Sequence, residues 1–356
     1  MKILHTSDIH LDSALTSRLP PHKAKERRAE LFSTLNRLLV EAEKQGCGAV
    51  IIAGDLFDRD RISRRMAERA MSYIAKHPTV DVLYLPGNHE RRALTDCGAV
   101  LPENLRLFGS EWTYFDYPEV RIGGAERIDE STISSFRGRK DAICIGVLHG
   151  SPGNRSDSNG VIGIPELDRS DIDYLALGHY HGYGEHRTPG GKVAVYCGTP
   201  EGRGFDEVGT KGYIMIEVSE GHLHHRFVPF AYRTLHAPEV DISDANTNSD
   251  IELAVNQALS AVSERDLVSL RLVGRRSPEL RVDCEELLIS HRDSYYYFEV
   301  RDESRLRIDM SDYILDKSLK GEFIRLALGD KELSEEDRDT VIRMGLSALM
   351  GEEGDI

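Results

Sequence analysis

The chain has 356 residues, of which 40% are hydrophobic, and a formal net charge of −15. That length accommodates one large domain with a smaller one, or two medium domains. No apolar run approaches the ~20 residues of a membrane helix, and the opening MKILHTSD turns polar too soon for a signal peptide; the expectation is a cytoplasmic protein with no membrane partner. The five cysteines are scattered, odd in number and never in CxxC spacing, which speaks against a disulfide framework and a thiolate zinc site. The charge is uneven: residues 1–100 carry 16 basic and 13 acidic side chains, the rest 29 and 47. The global acidity therefore does not exclude a phosphate-bearing partner held by the first part.

Apolar runs that end in polar loops recur along the chain. KILHTS (2–7), AVIIAG (49–54), VLYLPG (82–87), AICIGVLHG (142–150), DYLALG (173–178) and VAVYCG (193–198) read as short buried strands. Residues 23–44 place Leu31, Leu35, Leu38, Leu39 and Ala42 on one helical face, and 62–76 do so with Met66, Ala70, Met71 and Ile74. Strands alternating with helices predict an α/β layered domain. Beyond about 105 the strands crowd together, so the fold class expected is two packed sheets flanked by helices. KGYIMIEVSEGHLHHRF reads as a hairpin turning at SEGH, which accounts for its histidines without a metal. APEVDISDANTNSD (237–250) is polar and turn-rich, a linker. The IELAVNQALSAV helix and the strands LVSLRLVG and YYYFEVRD follow, predicting a smaller βαββ module. Two helices close the chain.

Five strand ends carry metal-ligand chemistry. Ser7-Asp8-Ile9-His10 follows the first, and side chains two apart on an extended chain share a face. Gly54-Asp55 follows the second, Gly87-Asn88-His89-Glu90 the third, His149-Gly150 a later one, and Gly178-His179-Tyr180-His181 another. A mixed set of Asp, Asn and His suits Mn, Fe or Zn rather than Ca. Each piece alone has a bland reading: a turn, a strand exit, a core histidine. All five in order, each at a strand terminus, do not.

D-x-H, GD-x-x-D, GNH-E, H-G and GH-x-H in this order resemble the signatures of the calcineurin-like metallophosphoesterases. ILHTSDIHLDS, GDLFDR, LPGNHE and YCGTPEGRGFDE are most similar to SbcD-type DNA-repair exonucleases. The resemblance implies a dinuclear site, usually loaded with Mn²⁺: one metal on Asp8, His10 and His181, the other on Asn88, His149 and His179, with Asp55 bridging. His89 falls where such enzymes keep a catalytic histidine. Two divalent ions clamp both sides of an in-line displacement at phosphorus. Asp58 either orients a ligand histidine or is a solvated loop carboxylate, and Glu90 reads as a helix-start or salt-bridge residue. Arg59, Arg61, Arg64, Arg65, Arg91 and Arg92 follow the acids; they read as DNA-phosphate contacts or as a solvated face.

The resemblance further implies a phosphoesterase domain over 1–235, a capping domain over 245–310, and a 311–356 helical tail that docks an SMC-like SbcC-type ATPase. A homodimer acting on DNA is the corresponding expectation. A small-nucleotide phosphodiesterase or phosphatase of the same superfamily is the alternative.

Overall fold

The computed structural model describes residues 1–15, 19–87, 90, 93–129, 131–152, 161–277, 279–307 and 315–349. The chain divides into two compact units, Met1–Thr234 and Leu235–Ile356.

The first unit is a two-sheet α/β sandwich with helices outside, as the alternation of apolar runs predicts. Its first sheet contains the parallel strands β1 (Lys2–Thr6), β2 (Cys47–Ala53), β3 (Asp81–Leu85) and β4 (Leu105–Leu107). The second sheet contains β5 (Thr113–Asp116), β6 (Val120–Gly124), β7 (Ile143–His149), β8 (Tyr174–Gly178), β9 (Gly184–Arg187) and β10 (Val193–Tyr196), in the order β9-β10-β8-β7-β6-β5. The hairpin β11 (Gly212–Ser219) and β12 (His222–Pro229) returns to β1 and completes the first sheet as β12-β11-β1-β2-β3-β4. Glu220 and Gly221, which join them, both have positive φ (53° and 75°), the backbone that a tight two-residue hairpin turn requires.

Strand alternation divides the core. On β2, Ala49, Ile51 and Ala53 enter the layer between the sheets with Ile3, Ile145, Val147 and Val195. Val50 and Ile52 point the other way, against the helix α1 (Pro21–Lys44). The face read from the sequence is the one that packs: Leu31, Leu35, Leu38, Leu39 and Ala42 are all buried. The second helix, α2 (Arg64–Ala75), begins at Ser63, whose side chain accepts the Met66 N–H.

Because β1–β3 run parallel, as do β7 and β8, their C-terminal ends deliver loops to common edges. Asp8, Asp55, His149 and His179 lie at or just beyond such ends.

The second unit departs from the βαββ expectation. Its strands β13 (Leu235–His236), β14 (Glu239–Asp241), β15 (Leu267–Val273) and β16 (Tyr297–Asp302) pair in parallel about β15. Helix α3 (Asn248–Leu259) precedes β15, and α4 (Cys284–His291) stands between β15 and β16. Parallel neighbours need a crossover, and α4 supplies it. It was illegible because its apolar residues are the consecutive Leu287, Leu288 and Ile289, of which only Leu287 is buried. The last helices are α5 (Leu319–Gly329) and α6 (Glu335–Leu349), which share a small core of Ile324, Ala327, Ile342 and Leu346 with Leu306. No described helix is long and apolar enough to cross a membrane.

Candidate metal centre

Asp8, His10, Asp55 and His179 all adopt positive φ, at 52°, 49°, 51° and 104°. They are four of the six non-glycine residues in that region among those described. Side chains avoid this conformation, and it persists only where the surroundings impose it. Here the imposition is a backbone zipper between two strand ends: Asp8 N–H donates to Gly54 O and His10 N–H to Asp55 O, both at 3.0 Å, and Leu11 N–H to Leu56 O at 2.9 Å. His179 N–H is drawn in from the other sheet, 3.1 Å from both Asp8 carboxylate oxygens. The site is also tight. A methyl added to Gly87 would lie 1.8 Å from Asp55 Oδ1, and one added to Gly54 would lie 2.0 Å from His149 Nδ1.

Two groups of donor atoms converge, each within 4.8 Å: Asp8, His10 and His181, and Asp8, Asp55 and His149. Asp55 Oδ2 stands 3.4 Å from His149 Nε2 and 3.8 Å from His10 Nε2, between the two groups. His181 Nε2 is 3.9 Å from Asp8 Oδ1. His179 joins neither group; its ring packs edge-on against that of His149, with centroids 5.4 Å apart. Asn88, His89, Arg91 and Arg92 lie outside the described residues.

The donor set fits divalent cations. Asp8 and Asp55 are 0% and 2% exposed, and two buried carboxylates this close demand positive charge. The histidines are turned to provide a place for it. His10 Nδ1 lies 2.9 Å from Asp58 Oδ1, His181 Nδ1 2.8 Å from Glu207 Oε1, and His149 Nδ1 2.9 Å from the Ala53 carbonyl. Each Nδ1 thus has an oxygen behind it, and each Nε2 lies within 3.9 Å of an Asp8 or Asp55 carboxylate oxygen, the orientation that metal-ligating imidazoles take. Burial opposes charge on His149, yet Asp55 and Asp8 lift its pKa to about 9; the acids seek a cation and recruit the ring in its place.

Residues 1–183 match the family model for calcineurin-like phosphoesterases. The chain belongs to that family. Calcineurin-like phosphoesterases are metal-dependent hydrolases of phosphoester bonds, so the paired donor groups at the strand ends are where such chemistry would be held. Among relatives, the metallophosphoesterase YhaO of Bacillus subtilis is 25% identical over 77% of this chain and 71% of its own length. The DNA double-strand break repair protein Mre11 of Methanopyrus kandleri is 26% identical over 63% of this chain and 55% of its own. One component of the nuclease SbcCD of Staphylococcus epidermidis is 25% identical over 68% of this chain and 74% of its own.

Other placements differ from the sequence reading. Asp58 contacts His10, the first of its two alternatives. Glu90, read as a helix-start or salt-bridge residue, is 1% exposed, and its carboxylate accepts the N–H groups of Leu56, at 2.7 Å, and Phe57. It clasps the loop that follows Asp55. Burial, with Asp55 adding to it, raises its pKa to about 8. Arg59, Arg61, Arg64 and Arg65 are exposed; Arg59 lies 3.8 Å from Asp12 and Arg64 2.7 Å from Glu68. Glu207 and Arg203 have no role in the sequence reading, although both stand in the YCGTPEGRGFDE stretch that carries the resemblance. An acid four residues after an arginine in a glycine-rich loop was the available signal.

Proposed function

We propose that the chain is a two-metal, Mn²⁺-dependent DNA nuclease acting in DNA repair, cleaving phosphodiester bonds as exonuclease and endonuclease. The observation that carries it is the double convergence of donors on Asp8, with Asp55 between the two groups. Asp8, His10 and His181 would hold one ion; His149 and Asp55, with Asn88 and His179, would hold the other. Such ions, when bound, supply Lewis-acid stabilisation to a phosphoryl group undergoing in-line displacement. The chain's own residues do the rest. Asp58, Glu207 and the Ala53 carbonyl keep three imidazoles in the tautomer that leaves Nε2 bare. His89 is assigned proton donation to the leaving oxygen. Arg59, Arg61, Arg64, Arg65, Arg91 and Arg92 are assigned phosphate contacts.

DNA as substrate is supported by the two relatives named for double-strand break repair and for a nuclease. By the same likeness, residues 245–310 are assigned to capping the site and the tail from 311 to docking an SbcC-type ATPase. Leu319, Leu326 and Met344 are 72%, 67% and 57% exposed on its helices, which supports that assignment. A homodimer in the cytoplasm completes the reading. A second reading, a small-nucleotide phosphodiesterase, draws on the Arg59–Asp12 and Arg64–Glu68 pairs, which neutralise part of the basic surface.

The deciding experiment incubates the purified chain with Mn²⁺ or with chelator, offering labelled single- and double-stranded DNA alongside bis-p-nitrophenyl phosphate, with a His89→Ala control. Mn²⁺-dependent DNA cleavage that is lost in the control is expected. Turnover of the small diester with intact DNA, even with a partner ATPase present, would instead overturn the nuclease reading.

A further inference from the structure

His10 and His181 come to one metal position from distant parts of the chain, and each is steered by a carboxylate. Those carboxylates sit on separate segments: Asp58 follows β2, and Glu207 precedes β11. One guanidinium joins them. Arg203 Nη1 lies 3.5 Å from Asp58 Oδ1; its Nη2 donates to Glu207 Oε1 at 2.6 Å and also lies 3.1 Å from His181 Nδ1, and its Nε donates to the same Glu207 oxygen at 3.0 Å. The Arg203 main-chain N–H donates to Glu207 Oε2 at 2.8 Å.

The segment bearing this group is anchored on its far side. Glu201 is fully buried and accepts from Arg27 Nη1 (3.1 Å), Thr34 Oγ1 (3.1 Å) and the main-chain N–H groups of Tyr232 (2.8 Å) and Arg233 (3.2 Å). Arg27, 1% exposed, also donates to Gly202 O at 2.7 Å. Beside the site, the His181 carbonyl accepts from Lys211 Nζ at 2.9 Å and Thr199 N–H at 3.2 Å. Arg203 is thus held on an anchored loop rather than on a surface free to swing.

We propose that Arg203 is a positioning residue that locks the Asp8–His10–His181 metal position by pairing the two carboxylates that orient its histidines, and that it serves this position and not the Asp8–Asp55–His149 one. The inference rests on the metal-centre reading above. A carboxylate behind an imidazole fixes the ring only if the carboxylate is itself fixed, and the planar guanidinium fork reaches both at once. It also neutralises Asp58 and Glu207, which would otherwise offer an incoming cation an alternative seat behind the ligands. His149 takes its orientation from the Ala53 carbonyl, with no part for Arg203.

The test is titration of the purified 356-residue chain with Mn²⁺, followed by calorimetry and by electron paramagnetic resonance. The wild type is expected to take up two ions. Arg203→Met should weaken one of them by about 10–100-fold and leave the other within about twofold. Arg203→Lys should recover part of the loss, since lysine restores charge without the two-ended geometry. Glu207→Gln, nearly isosteric, should weaken the same ion and decides the matter if Arg203→Met does not fold. Equal weakening of both ions, or unchanged affinities in both variants, overturns the lock while leaving the metal-centre reading in place. A wild-type chain that takes up fewer than two ions overturns that reading and the lock with it.

Discussion

Asp8, His10, Asp55 and His179 hold backbone conformations that side chains other than glycine's avoid, at roughly 1–3 kcal/mol each. The left-handed turns at these strand ends are thus borne largely by the candidate ligand residues themselves. Gly54 shares the conformation, with φ of 95°, whereas Gly87 matters for space. Gly87→Ala should abolish Mn²⁺ uptake at the Asp55 side of the centre, as measured by calorimetry, because its methyl cannot coexist with the Asp55 carboxylate 1.8 Å away. A different residue contributes to acid sensitivity. His5 is fully buried with Nδ1 3.0 Å from Tyr174 Oη. Burial, only partly offset by the Leu177 carbonyl, lowers its pKa from 6.5 to about 3. Between those values the unfolded chain binds a proton that the folded chain refuses, so stability falls as pH drops from 6.5 toward 3, by up to about 1.4 kcal/mol per pH unit. Urea unfolding across that window should show His5→Gln with the shallower slope.

At the scale of elements, the parallel strands decide where chemistry can sit. The sandwich between them is apolar and continuous, and Ile51 lies at its centre, fully buried. Ile51→Ala should cost about 2–5 kcal/mol, measured by denaturant unfolding. Ser63→Ala, which removes the cap of α2, should cost only about 1 kcal/mol. The long helix and the six strands were legible because their apolar residues recur at a helical period or in short unbroken runs. Helix α4 was not, since eight residues with three consecutive apolar ones carry no period. The hairpin was legible from Glu220-Gly221, and its histidines lie on strand β12, where His225 meets Glu185 at 2.9 Å.

At the scale of the whole molecule, each unit has an apolar core of its own. The first holds the layers on either side of its two sheets, and the second holds Val240, Ile251, Val255, Val268, Leu270 and Phe298. A chain of residues 1–234 should therefore fold alone and hydrolyse bis-p-nitrophenyl phosphate with Mn²⁺, as circular dichroism and a chromogenic assay would report. An unfolded 1–234 fragment would mean that the first unit depends on the second for stability.

The sequence by itself determined the family and the layered architecture, and singled out the residues at five strand ends, because apolar runs and short motifs keep their spacing in one dimension. Tertiary structure alone decided how those ends meet: that Asp55 stands between two histidines, that Glu90 is a buried clasp on the loop after Asp55 rather than a helix-start or salt-bridge residue, and that Arg203 joins two carboxylates 145 and 4 residues away from it. The Arg203–Asp58 and Glu90–Leu56 contacts span 145 and 34 residues, and contacts so far apart in the chain leave no periodicity to read.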